Sequence, residues 1–134
     1  MAFTTELTEN YMGIIHVGSG VVTGTEILEG CKSVTALVRV TENFQYKLID
    51  FSAVTDLRIT AEELDEIVKQ DRLIASSRPN ATVVIVAPDD HIRAIAQHWE
   101  ILVEDLGWNT RVSRTRAEAS DWLKENSIAA SLDG

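Results

Sequence analysis

The sequence predicts an α/β domain with a mostly parallel sheet of about five strands and about four helices. Two observations carry this expectation. The apolar pattern repeatedly changes period along the chain, from alternation or short solid runs to steps of three and four. Capping-box signatures also stand where helices should begin, at Thr23/Glu26, Thr60/Glu63 and Thr115/Glu118.

Taken in order, 11–17 carries Ile14, Ile15 and Val17 and reads as the opening strand, antiparallel at a sheet edge. Gly18-Ser19-Gly20 reads as a hairpin turn, and Val21-Val22 as the start of a short second strand. The glycines lack the Lys-Ser/Thr ending of a phosphate loop and the spacing of a dinucleotide loop. After the Thr23 box, Ile27, Cys31, Val34 and Val38 trace one helical face. Val34 to Val40 also alternates like a strand, and the longer helical period decides for the helix.

Lys47 to Phe51 is the next strand, and 52–59 reads as a loop leading to the Thr60 box. Leu64, Ile67, Val68 and Ile74 then suit a helix ending near Arg78-Pro79-Asn80. Thr82 to Ala87 is a solid apolar run, as a parallel strand buried on both faces should be. Asp89 or Asp90 caps a helix striped by Ile92, Ile95, Ala96, Trp99, Leu102, Val103 and Leu106, with Gly107 as its stop. Asn109 to Ser113 is a short strand, and Ala119, Trp122 and Leu123 mark the last helical face. The order is β-β-α-β-α-β-α-β-α in a single domain, 1–134, with a core at about 11–124 and frayed ends, including the tail 127–134.

A chain of 134 residues, 45% hydrophobic and 25% charged, is of ordinary single-domain size and composition. Twelve Lys and Arg against 21 Asp and Glu give a net charge of −9, and no basic run breaks the balance. That argues against nucleic acid and anionic membrane as partners, because both are bound by neutralising phosphate. The lone Cys31 makes no internal disulfide and falls on an apolar stripe, which reads as a buried structural thiol in a reducing, cytoplasmic setting. No segment has the length of a membrane span or the form of a signal peptide.

The chain resembles the STAS superfamily, in its branch of small anti-sigma-factor-antagonist-like bacterial proteins. The resemblance rests on Val22-Thr23-Gly24-Thr25-Glu26, Leu48-Ile49-Asp50-Phe51-Ser52-Ala53-Val54, Val84-Ile85-Val86-Ala87-Pro88-Asp89-Asp90 and Ala119-Ser120-Asp121-Trp122-Leu123, in that order and spacing. It implies a (βα) superhelix and a regulatory or binding domain rather than an enzyme. Members of the antagonist type are phosphorylated on a serine in an Asp-Ser-Ser/Thr-Gly motif after the central strand. Here the corresponding stretch is Asp56-Leu57-Arg58-Ile59, which keeps the aspartate and lacks both the acceptor hydroxyl and the glycine. The phosphorylation switch is therefore not carried over.

Ligands in open parallel sheets sit beyond the carboxyl ends of the strands. There the sequence gathers Asp50, Ser52, Asp56, Arg58, Asp89, Asp90, His91, Arg114 and Thr115, beside helix N-termini that favour anions. Capping alone accounts for Asp89 or Asp90, Thr60 and Thr115. Asp50, Asp56 and Asp89 would be the set for a magnesium ion, although no metal or other cofactor is expected. His91 and His98 lack the four-residue spacing of a zinc pair, and nothing around Ser52 resembles a nucleophile elbow. Trp108, following the glycine stop, could be a half-exposed anchor for a partner. The sequence thus supports a non-catalytic module binding a protein partner or itself; the alternative is a small-ligand-binding protein holding an anionic or apolar metabolite at these loops.

Overall fold

The computed structural model describes residues 2–8, 12–40 and 44–126, so Tyr11 and the expected frayed tail at 127–134 lie outside the described residues. Among the described residues, five strands form one sheet in the order β1-β2-β3-β4-β5. These are β1 (Phe3–Leu7), β2 (Gly13–Thr23), β3 (Tyr46–Arg58), β4 (Thr82–Val86) and β5 (Asn109–Ser113). β1 is antiparallel to β2, and every later neighbour is parallel. The helices are α1 (Gly24–Val40), α2 (Ala61–Ser77), α3 (Asp90–Leu102) and α4 (Arg116–Asn126).

The mostly parallel sheet with an antiparallel edge is as expected, but the edge strand is β1 rather than 11–17. β1 escaped the pattern because its inward residue Phe3 stands among Thr4, Thr5 and Glu6. Phe3 stacks on His16 at 5.1 Å between ring centroids, which seats β1 on β2.

Gly18-Ser19-Gly20 is not a hairpin turn: β2 runs straight through it. A Cβ at Gly18 would stand 2.8 Å from the Val54 side chain, and Gly20 has φ +64. The glycines therefore permit close approach and a left-handed residue inside a strand.

The expected loop at 52–59 is instead the second half of β3 through Arg58. Val17 pairs with Asp50 and Ser19 with Ala53; Gly20 pairs with Val54 and Val21 with Asp56. At each step β3 advances one residue more than β2, so it carries two bulges. Its buried positions accordingly change from a solid run over 46–49 to Phe51, Val54 and Leu57, a spacing of three that hides a strand from period-two reading.

α1 forms at 34–40 as the longer period predicted. The Thr23 and Thr60 boxes close with reciprocal hydrogen bonds to Glu26 and Glu63. At α4, Thr115 accepts from the Glu118 amide, whereas the Glu118 carboxylate takes the Arg114 amide. α3 stops at Leu102, a 3-10 turn follows over Glu104–Leu106, and Gly107 ends it at φ +81. Trp108 is buried, not half-exposed, and its indole N–H donates to the Arg78 carbonyl at 2.9 Å.

α1, α2 and α3 pack on one sheet face around Ile27, Val34, Ile67, Ile74, Ile92 and Trp99. On the other face, α4 lays Ala119 and Leu123 on Tyr46, Leu48, Val84 and Val86. All five residues of β4 are buried, and each aliphatic side chain so covered contributes about 1.5–3 kcal/mol. No helix among the described residues is long and apolar enough to cross a membrane.

Candidate functional site

The β3 pleat turns Asp50 toward α4, where its carboxylate takes the Arg116 guanidinium at 3.0 Å and the Ser52 amide at 2.8 Å. Partial burial pushes this carboxyl up, but the Ser52 and Arg116 hydrogen bonds together outweigh it and hold it below the usual range. Ser52 itself is exposed. Asp56 and Arg58, both exposed on the far half of β3, pair with each other at 2.7 Å.

Asp89, rather than Asp90, caps α3 by accepting from the Ile92 amide at 3.0 Å. Asp90 pairs with Arg93, which also donates to the Ala87 and Pro88 carbonyls and so ties the loop after β4. Arg114 is exposed at the start of α4. Asp50 thus meets Ser52 and Arg116 on the α4 side, while Asp89, Asp90 and His91 gather at the start of α3. Asp50, Asp56 and Asp89 do not converge, and no group of three or more His, Cys, Asp and Glu suited to a metal forms among the described residues.

His91 lies in a groove. Between the start of α2 and α3, a cleft of about 340 Å³ is lined by Ile59, Thr60, Leu64, His91, Ile95 and His98. Beneath it, sharing Ile59, Leu64 and Ile95 as walls, is an inner cavity of about 50 Å³. Lys47, Asp71, Trp99 and Cys31 reach this cavity from β3, α2, α3 and α1.

Lys47 and Asp71 are 2% and 1% exposed, with Nζ 3.7 Å from Oδ1. Trp99 donates its indole N–H to Asp71 Oδ2 at 2.8 Å. Burial pushes the Asp71 carboxyl up, against the opposing pull of Lys47 and Trp99. Burial likewise pushes the Cys31 thiol up to about 12, which leaves it protonated and unreactive. Sequence reasoning missed this ionic pair, although the signal was present. Asp71 falls on the α2 stripe with Leu64, Ile67, Val68 and Ile74, and Lys47 alternates with Ile49 and Phe51.

The sheet order and the helix placement define a mixed α/β fold with helices on both sheet faces. Among solved structures, the chain is similar to the anti-sigma factor antagonist SpoIIAA in its unphosphorylated form. The TM-score is 0.60 at 12% identity, covering 92% of this chain and 98% of that one. The phosphorylated form of SpoIIAA, a Bacillus cell fate determinant, matches with a TM-score of 0.54 at 14% identity over 91% of this chain and 99% of that one. An uncharacterised DUF3478-family protein with a SpoIIAA-like fold from Shewanella loihica PV-4 matches at 0.58 and 12% identity, over 91% of this chain and 92% of that one. The chain therefore has the SpoIIAA fold. No family model matches the chain, and neither does any curated protein.

Proposed function

We propose that this chain is a STAS-like regulatory module that works by binding a protein partner, itself or another chain, and not by catalysis. The observation that carries this reading is the match over nine-tenths of the chain to an anti-sigma factor antagonist. The phosphorylation switch is left out of it. The stretch 56–59 has no hydroxyl, and the Thr60 hydroxyl that follows is engaged by the Glu63 amide at 3.1 Å. Native mass spectrometry of protein purified gently from its own host tests the reading. A dimer or a heteromer of fixed stoichiometry is expected; a monomer at every concentration, with no cross-linked partner, would overturn it.

A second reading is favoured by the α2–α3 groove, which places His91 beside Thr60 at the carboxyl end of the sheet. In it, this groove, which His91 alone of the expected site residues lines, holds a small anionic or apolar molecule, and Arg58 tests whether the site extends along β3. A retained mass of metabolite size in the same spectrum is the expected sign. Arg58→Ala should weaken retention of an anion, and unchanged retention would remove Arg58 from the site.

A further inference from the structure

The inner cavity carries an inference that goes beyond the regulatory reading and deepens the ligand-binding one, with which it shares the α2–α3 groove but none of the expected site residues. Asp71 is 1% exposed, its Oδ2 is occupied by Trp99, and its Oδ1 has no hydrogen-bond partner. The Lys47 ammonium stands 3.7 Å from that oxygen, beyond direct hydrogen-bond reach, with the Trp108 ring at 5.9 Å. Buried polar atoms are hydrogen-bonded in folded proteins, and Oδ1 has only the ion pair with Lys47 at 3.7 Å. Both groups line the same cavity of about 50 Å³, whose remaining walls are largely aliphatic and aromatic side chains. That volume exceeds the need of a single water.

The chemistry of the gap selects its occupant. A group between Nζ and Oδ1 must accept from an ammonium and donate to a carboxylate. A hydroxyl oxygen does both. A carboxylate has no proton to give to Asp71 and repels it, and an ammonium cannot accept from Lys47. The rest of the molecule must be apolar, to match the walls, and slender, to pass Leu64 and Ile95 into the outer groove.

We propose that the Lys47–Asp71 pair is the polar end of a binding site for a slender neutral alcohol. Its hydroxyl bridges the two side chains, and its apolar tail runs past Leu64 and Ile95 toward the cleft between α2 and α3.

The test uses the full chain, labelled with nitrogen-15, and three probes of equal length: 1-hexanol, hexanoate and 1-hexylamine. The Trp99 indole N–H resonance reports the site, because its acceptor Asp71 is the group addressed. Hexanol is expected to shift it saturably at neutral pH, with the two charged probes binding roughly tenfold or more weakly. Ile95→Trp, a half-buried position in the neck, should abolish saturation while leaving the urea midpoint nearly unchanged. Lys47→Met combined with Asp71→Leu should keep the fold and erase the preference for the alcohol. A Trp99 resonance that moves without saturating, or equal binding of all three probes, would overturn the proposal. So would a hexanol-soaked crystal with water alone in the cavity. None of these readouts requires a protein partner, so failure here leaves the regulatory reading standing.

Discussion

Asp71 and Lys47 are the residues whose environment departs furthest from their chemistry. Removing one of a buried pair leaves the other charged and alone, which typically costs about 3–5 kcal/mol, whereas replacing both with apolar residues of similar size is often neutral or stabilising. Asp71→Ala is therefore expected to lower the guanidinium unfolding free energy by about 3–5 kcal/mol. Lys47→Met with Asp71→Leu should equal or exceed the parent. His16 gives a second prediction at this scale. It is 1% exposed, and burial first, then the nearby Lys47 charge, lower its pKa from 6.5 to about 3. The unfolded chain takes up that proton below pH 6.5, while the folded chain resists it until about pH 3. Stability from this group is thus fully present above pH 6.5 and falls by about 1.4 kcal/mol for each pH unit below it. His16→Gln should flatten the urea-derived stability curve between pH 6.5 and 5. Some single residues were legible: the Thr60 cap, a cap at Asp89 or Asp90 and the buried Cys31 follow from local pattern. The ionic pair was not, because its halves come from β3 and α2 and only packing brings them together.

At the scale of elements, β2 and β3 depend on glycine where their side chains crowd. Gly18→Ala puts a methyl 2.8 Å from the Val54 side chain, so the strands must part or Val54 must leave its rotamer. A loss of about 1–3 kcal/mol in chemical denaturation is expected, and Val54→Ala added to it should recover part of that loss. The elements the sequence revealed are those of a single period: solid β4, and α2 and α3 with clean stripes and stop signals. Those it concealed break a period for a structural reason. β3 changes spacing at its two bulges, and the Gly-rich center of β2 imitates a turn. β1 buries too few side chains to alternate visibly.

At the scale of the whole molecule, the described residues give the sheet an asymmetric cover, with three helices on one face and α4 on the other. Large aliphatic side chains remain on the outside, above all Ile101 on α3 at 63% exposure. In the partner-binding reading such a residue is an anchor. Ile101→Asp should leave the unfolding midpoint within error and weaken the complex seen by native mass spectrometry by tenfold or more. An unchanged complex would place the contact elsewhere. The fold class was legible as a whole because alternation, caps and stops agreed with one another. The site was less so. Asp50, Asp56 and Asp89 follow β-strand ends in sequence, yet β3 continues past Asp50 and carries Asp56 away from Asp89.

That continuation of β3 divides one strand between two timescales. β4 accompanies β3 only from Tyr46 to Asp50, and the β1 register ends at Gly18. Beyond those points, Ser19–Thr23 and Ala53–Arg58 pair with each other and with no further strand among the described residues. Amides at 47–50, held between two neighbours, exchange their hydrogens when the whole domain opens. Those at 53–58 exchange when a two-stranded ribbon frays, which demands far less. Hydrogen exchange along β3 would therefore show a step near Phe51, with the slow half belonging to the core and the fast half to the rim.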